Sequence, residues 1–493
     1  MAAPPPILAL LADKCRGPLA HLFDSARPLF LRSAPGRIDA LGGLAAETGG
    51  TLAQMALPRR AVVALQTRGD DQLVFHSEQI APPLGDSPIT IRLASLLVDA
   101  RLRPTADIAR ALNASQHWAT PLVAAWIIFY QHAIASPLSP GQERIFGGFT
   151  FAVDSQLAMN AGQASSTAVV AAAMLGMIDA TGQRIDAADL PHLVHKAEHF
   201  FAPNHSHVVD ALTVLSAMEA PPVHLLRYSA QPYQLVGQVA VPKDLRMVAF
   251  DTGVRYTAAN QTVESLRLAG AMGLRIIETI YRDLGQRHTP LHGYLANTSP
   301  SLYRQYFRSL LPRRMRGSDF VRSFGDLPQR AGLIDPGQIY RVRTAVDHLI
   351  SEHEYAENFL QAIEELSDPF TIRQMPVEER QRTRLRAGRL LLASHHSYRL
   401  RLELSCREAD WLVDALMEAG PDKGIFGARI TASGGGGTVV ALMDRSRQST
   451  DALLQAVSAF SQLSGLHLQI TEAGSPGSAG AVLTGPFEVA ARR

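Results

Sequence analysis

The chain has 493 residues, more than one hydrophobic core ordinarily serves, so at least two domains are expected. A composition of 46% hydrophobic and 19% charged residues is that of a soluble globular protein, and a formal charge of +2 leaves no excess of either sign with which to grip nucleic acid or a membrane surface. Two cysteines, Cys15 and Cys406, far apart and outside any CxxC pair, argue against a disulfide framework or a thiolate metal site and suit a reducing, cytoplasmic setting.

Residues 1–30 read as a lead-in whose apolar run is too short, and whose start is too uncharged, for a signal peptide. Strands are expected at 61–67 and 73–76, parted by the turn-forming Gly69-Asp70-Asp71. Residues 108–135 read as helical with a break before Pro121. The apolar stretch 121–130 is about half a membrane span, so a buried helix is expected there. Further helices are expected at 165–180, 190–201 and 208–218, the last two separated by the breaker Ala202-Pro203-Asn204-His205-Ser206. A strand-rich block follows at 223–227, 233–241 and 246–251, then long amphipathic helices from 263 to 366, and two more at 378–394 and 406–419. Residues 427–443 read as strand, glycine loop, strand, and 466–471 with 481–483 are expected to finish a small sheet. Strands and helices come in blocks without βαβ alternation, which predicts an α+β fold.

Three separated segments carry candidate chemistry. Asn160-Ala161-Gly162-Gln163-Ala164-Ser165-Ser166-Thr167 opens an apolar helix, and small residues with hydroxyls at a helix start suit either a phosphate on the free N–H groups or a simple side-chain cap. No GK[ST] follows, so this is not a Walker A loop. Four consecutive glycines, Gly434 to Gly437, between apolar strands are costly to order, which points to close backbone approach to a ligand or another segment rather than to a plain hairpin tip. Glu198, near the end of one expected helix, and Asp210, at the start of the next, are acids of the kind that hold Mg²⁺ and orient or deprotonate an attacking hydroxyl; a solvated helix face is the ordinary alternative.

In this order the segments resemble the three motifs of the GHMP kinase superfamily. The first is Ala34-Pro35-Gly36-Arg37-Ile38-Asp39 followed by Ala40-Leu41-Gly42-Gly43, the second Gly162 to Thr167, and the third, the most specific, Gly427-Ala428-Arg429-Ile430-Thr431 through Gly437. The twelve-residue interval from Glu198 to Asp210, Phe250 to Arg255, Ser394-His395-His396-Ser397 and His117-Trp118-Ala119 are similar to segments of the family's sugar kinases. Gly42-Gly43 and Tyr294 to Pro300 resemble the L-arabinokinase branch more than the galactokinases. The likeness runs from about residue 30 to residue 445.

The resemblance implies a two-domain GHMP fold, with residues 1–215 and 216–493 as the domains and the active site in the cleft between them. It implies an ATP- and Mg²⁺-dependent sugar-1-kinase that takes a small-molecule acceptor, as a monomer or homodimer. Arg37 and Asp210 would be catalytic. Gly162, Ala164, Ser165, Ser166, Thr167, Trp118, Gly434, Gly435 and Gly436 would hold ATP. Asp39, Gly43, Glu47, Asp210 and Gly435 would meet the acceptor, and Ser166 and Glu198 the metal.

The departures fall on the sugar side. Ala46-Glu47 stand where relatives of this kind have an aspartate and a tyrosine, Val263 stands for a further tyrosine, Ala211 for a glutamine, and Pro203-Asn204-His205-Ser206-His207 for a glycine-bearing bend. His205 and His207 there read as new contacts or as a polar loop. A methyl at residue 46 accepts no hydroxyl proton, so an atypical acceptor is expected. The alternatives are a kinase for a non-sugar alcohol and a silent ATP- and sugar-binding sensor; retention of Arg37, Glu198 and Asp210 speaks against the sensor.

Overall fold

The computed structural model of the chain describes residues 6–80, 87–112, 118–135, 147–201, 206–216, 223–231, 233–255, 259–286, 288–328, 332–474, 479–484 and 488–490. Helix α1 (Pro6–Arg16) precedes strands β1 (Leu29–Leu41), β2 (Thr51–Thr67), β3 (Gln72–His76) and β4 (Ile89–Arg92). Next come α2 (Thr120–Ala135), β5 (Phe149–Ser155), α3 (Ser165–Thr181), α4 (Leu190–Glu198) and α5 (Val208–Ser216). Strands β6 (His224–Ala230), β7 (Tyr233–Ala240) and β8 (Leu245–Arg255) lead into α6 (Ala259–Asp283), α7 (Val342–Ser367), α8 (Val377–His396) and α9 (Arg407–Ala419). The chain closes with β9 (Ile425–Ile430), β10 (Gly436–Asp444), α10 (Arg447–Ser464), β11 (Gln469–Glu472), β12 (Ala479–Thr484) and β13 (Glu488–Ala490).

A nine-stranded sheet runs β13-β12-β1-β2-β5-β3-β4, with β6 also on β2 and β7 on β6; a four-stranded sheet runs β9-β10-β8-β11. The first sheet shares one core with α2, α3 and α4, the second shares another with α6, α7 and α9, and a third cluster joins β1 and β2 to β8, α7 and α8. Helix α3 lies close on the first sheet because Gly176 faces it: a Cβ there would collide with the Leu65 side chain. Helix α2 is buried from Leu122 to Tyr130, the buried helix its apolar run predicts, and among the described residues no helix is long and apolar enough to cross a membrane.

Several expectations change in the folded chain. The strand expected at 61–67 is the second half of a 17-residue strand, β2, hidden by Pro58, which reads as a breaker but sits at an exposed position. The expected helix 108–135 is two helices, Thr105–Leu112 and Thr120–Ala135, and the second includes Pro121 in its first turn, where no N–H is needed. The strands near residues 470 and 482 do not share a sheet: β11 pairs with β8, whereas β12 pairs with β1. Sheet pairing also crosses the expected boundary at 215–216, because β6, β7 and β12 all join the first sheet. Strand edges recruit partners by exposed hydrogen-bonding groups, which local sequence does not distinguish. Helix α10 went unread, although Ser446 caps it by accepting from Ser449 N at 3.0 Å and Ala452, Leu453, Ala456 and Phe460 form its buried stripe.

Candidate active site

The first motif forms a bulged strand. Register along β1 and β2 shifts between Pro35 and Arg37. Pro35 lacks an N–H and suits a break in the ladder, and a Cβ on Gly36 would collide with Leu157 and come within 2.8 Å of Gln163 O. The bulge leaves Arg37 N donating to Gln163 O at 3.0 Å. The Arg37 side chain then turns toward the cleft, where Nη1 donates to Gly162 O at 2.8 Å and Nε to Asp210 Oδ1 at 2.7 Å.

Asp210, third residue of α5, is held from several sides. Its Oδ2 accepts from His207 N at 3.0 Å, and its Oδ1 accepts from Gln54 Nε2 at 2.9 Å as well as from Arg37. Burial alone would raise its pKa, but the Arg37 charge and hydrogen bond, with the His207 contacts, override it and hold the carboxyl at about 2. Asp39, whose Oδ1 is 3.7 Å from Arg37 Nε, shows the opposite balance: burial pushes it up despite Arg37, Arg429 and Gln54. One guanidinium thus serves two buried carboxyls, and the balance lowers the pKa of Asp210 while raising that of Asp39.

The second motif delivers a helix start to the same space. Ala164 takes the left-handed N-cap position at φ 56°, and no side chain caps α3, so the cap alternative is not what the sequence builds there. Ser166 Oγ donates to Glu198 Oε1 at 2.6 Å and Thr167 Oγ1 to the same carboxylate at 3.0 Å. Burial pushes Glu198 up to about 7 against those two hydrogen bonds, so the carboxylate gains from a nearby cation. The third motif turns sharply between β9 and β10, with Ala432, Gly434 and Gly435 at positive φ. A Cβ on Gly434 would collide with Leu404 O and come within 2.7 Å of the Tyr398 ring, so close backbone approach, not hairpin mobility, explains the glycines.

These three segments close around one cleft of about 800 Å³. Arg37, Asp210, Trp118, Gly162, Ala164, Ser165, Ser166, Thr167, Gly434, Gly435 and Gly436 all line it, as does Val263. Asp39, Gly43 and Glu47 do not line this cleft: Asp39 is 3% exposed, and a Cβ on Gly43 would meet Ala432 O at 2.5 Å. Glu47 lies 3.7 Å from His207 Nε2. Ala46 packs in a small core with Leu52, Val209, Leu226 and Tyr228. Glu198 backs the cleft through Ser166. His117, Pro203, Asn204 and His205 lie outside the described residues.

Residues that sequence reading missed tie the halves together. Thr431 Oγ1 accepts from Asp39 N at 2.8 Å and lies 2.9 Å from Asp39 O. Gln163 Nε2 donates to Thr438 Oγ1 at 3.1 Å, which donates to Ala161 O at 2.6 Å. The fully buried Arg429 meets Glu352 at 3.2 Å and donates to Ala40 O at 3.2 Å. Gln163, Arg429 and Thr431 stand within the second and third motifs, but their partners have no local signal, because most of these bonds join segments hundreds of residues apart.

The fold is that of the GHMP kinases. Residues 128–217 match the family described as GHMP kinases N terminal domain, and residues 380–462 match GHMP kinases C terminal. The crystal structure of Lactococcus lactis galactokinase complexed with galactose superposes with a TM-score of 0.68 at 15% identity, over 96% of this chain and 99% of that one. Methanococcus jannaschii mevalonate kinase gives 0.51 at 11% identity, over 90% and 98%. In sequence, L-arabinokinase of Arabidopsis thaliana is 25% identical over 501 residues, 93% of this chain and 47% of that protein. Galactokinase of Streptomyces coelicolor is 24% identical over 437 residues, 88% of each chain. The chain spans about half the length of the plant relative. The chain thus carries matches to both GHMP kinase domain families, and galactokinases and an L-arabinokinase are among the proteins it is similar to.

Proposed function

We propose that the protein transfers the γ-phosphoryl group of ATP to the anomeric hydroxyl of a monosaccharide or sugar derivative. One observation carries this reading: the Arg37–Asp210 ion pair lines the same cleft as the Ser165–Thr167 helix start and the Gly434–Gly436 turn. The uncapped first turn of α3 presents N–H groups and partial positive charge to the phosphates, and the glycine turn admits them without side-chain obstruction. Trp118, on the cleft wall, suits an adenine.

Asp210 at about 2 is too weak a base to ionise a free hydroxyl. It orients the hydroxyl and takes its proton on Oδ2 as the new O–P bond forms, when that hydroxyl has become strongly acidic. The bond from the γ-phosphorus to the bridging oxygen breaks, and ADP leaves. Arg37 keeps Asp210 ionised and adds positive charge beside the transferring group. In such transfers positioning and charge neutralisation supply most of the catalysis. Ser166 Oγ and the Glu198 carboxylate are hard oxygen donors 2.6 Å apart at a helix start, which fits Mg²⁺, an ion that binds through one or two protein oxygens and keeps the rest of its shell for water and phosphate. When bound, that ion would neutralise charge on the phosphates.

The acceptor is atypical. Ala46 is packed in a core and Val263 lines the cleft wall, so the hydroxyl contacts made at those two places elsewhere in the family have no donor or acceptor here. Two free cysteines suit a cytoplasmic protein. The test is ADP release from Mg-ATP with a panel of free sugars, sugar derivatives and non-sugar alcohols, with D210N as control. Turnover lost in D210N supports the reading; ATP binding with no turnover on any acceptor points to a sensor instead.

A further inference from the structure

Gln54 lies on β2, fully buried, beneath the pair of carboxyls that flank Arg37. Its Nε2 donates one hydrogen to Asp39 Oδ1 at 2.6 Å and the other to Asp210 Oδ1 at 2.9 Å. Its Oε1 accepts from Thr213 Oγ1 at 2.5 Å, and Thr213 Oγ1 is 3.0 Å from Tyr228 OH. A threonine hydroxyl has one proton, and it goes to Gln54, so Tyr228 donates to Thr213. Burial raises the Tyr228 pKa, which keeps the phenol proton in place. The chain of donors therefore has one direction, from Tyr228 through Thr213 and Gln54 to the two carboxyls. Flipping the amide would set its carbonyl against both carboxyls, so its orientation follows from its neighbours.

We propose that Gln54 is a positioning residue for phosphoryl transfer. Its amide, aimed by Thr213 and Tyr228, fixes the Asp210 carboxylate so that Oδ1 is occupied by Arg37 and Gln54, and Oδ2 is the oxygen presented to the acceptor hydroxyl. This rests on the kinase reading above. Without the amide, Asp210 keeps the Arg37 bond to Oδ1 and the His207 N bond to Oδ2 but loses one of the three hydrogen bonds that fix its rotation, and Asp39 loses the donor it shares with Asp210. The charged and titratable groups facing this pair are Arg37 on β1, Arg429 on β9, His207 ahead of α5, Glu198 and His195 on α4, and Tyr228 and Tyr233 on β6 and β7. None of these changes when Gln54 alone is replaced.

The experiment uses the full chain as wild type, Q54L and Q54E, each checked for cooperative melting. Two readouts are taken: the carboxyl titrations of Asp39 and Asp210, followed by ¹³C NMR with D39N and D210N as assignment controls, and ADP release with Mg-ATP and the sugar panel. Loss of an N–H donor to the ionised forms raises the midpoint of at least one carboxyl by about one pH unit in Q54L, and a third carboxyl raises it further in Q54E. In Q54L, kcat falls at least about tenfold while KM for ATP stays within about twofold, a split that a general loss of packing does not produce. Unchanged midpoints in a folded variant overturn the proposal, as do shifted midpoints with unchanged kcat. Should Q54L not fold, Q54E, which keeps the side-chain shape, decides by the same readouts. If the wild type turns over no acceptor, the kinase reading fails, and unshifted midpoints then overturn the amide's hold on the pair separately.

Discussion

Arg37 Nε stands 2.7 Å from Asp210 Oδ1, although 173 residues separate them in the chain, and both side chains are buried at the cleft. Breaking an isolated buried pair costs about 3–5 kcal/mol; here Asp39, 3.7 Å from Arg37, gives the guanidinium a second carboxyl.

D210N should therefore abolish turnover more than it harms the fold, since the amide keeps the shape and Asp39 remains 3.7 Å from Arg37. We expect kcat to fall by about 10³-fold or more with ATP binding retained. Coupled-assay ADP release and nucleotide titration of the same preparation check both halves of the statement; D210N with near wild-type turnover would remove Asp210 from the mechanism.

The two carboxyls beside Arg37 should respond to pH with opposite sign. Asp210 at about 2 lies below its ordinary value of 3.8, so it stabilises the fold above that value, and the contribution is lost as pH falls through about 2. Asp39 is raised above 3.8, so its ionised form costs stability as pH climbs from there. D39N should melt about 1–3 °C above wild type at neutral pH, with the gap closing as pH falls toward about 4. Calorimetry of both proteins across that range decides; a D39N that melts lower at neutral pH contradicts the balance.

Ser166 and Glu198 should govern metal dependence rather than acceptor choice. E198Q is expected to raise the Mg²⁺ concentration for half-maximal activity by about tenfold or more, with S166A acting in the same direction. A magnesium titration at fixed ATP, compared with the acceptor KM, reads this directly. An unchanged magnesium requirement would leave Glu198 as a hydrogen-bond acceptor for the Ser166 and Thr167 hydroxyls alone.

Glycines of the third motif should be intolerant for two separable reasons. Gly434 sits at φ 75°, and a Cβ would collide with Leu404 O. Gly253, outside the motif on β8, has φ 81° with nothing within 4 Å of a Cβ and serves as the comparison. G253A should cost about 1 kcal/mol, the left-handed penalty alone, whereas G434A should cost clearly more and weaken ATP binding. Urea melts and nucleotide titrations of the two variants separate strain from collision.

Much of the site was legible because its parts are local. A glycine run between apolar strands, small residues opening an apolar helix and an arginine after Pro35-Gly36 each have a backbone reason to be where they are, and each reason acts within a few residues. Apart from Trp118 and Asp210, the expected residues that line the cleft come from those runs. Asp39, Gly43 and Glu47 follow Pro35-Gly36-Arg37, yet they face inward or toward His207, because the bulges in β1 and the short helix Gly43–Thr48 decide which side chains turn to the cleft. Helix α10 had a readable cap and stripe and was simply not read.

The sequence alone determined the resemblance to the GHMP kinases and the identity of the cleft-lining motifs, since turn chemistry, helix starts and positive-φ positions are properties of short contiguous stretches. Tertiary structure decided which carboxyl beside Arg37 has its pKa lowered and which has it raised, that Gln54 bridges the two, that β12 joins β1 while β11 joins β8, and that Ala46 is core rather than acceptor wall. Those outcomes depend on burial and on partners far away in the chain. The free energy of a charge or an unpaired strand edge is set by what surrounds it in space, which no short window of sequence contains.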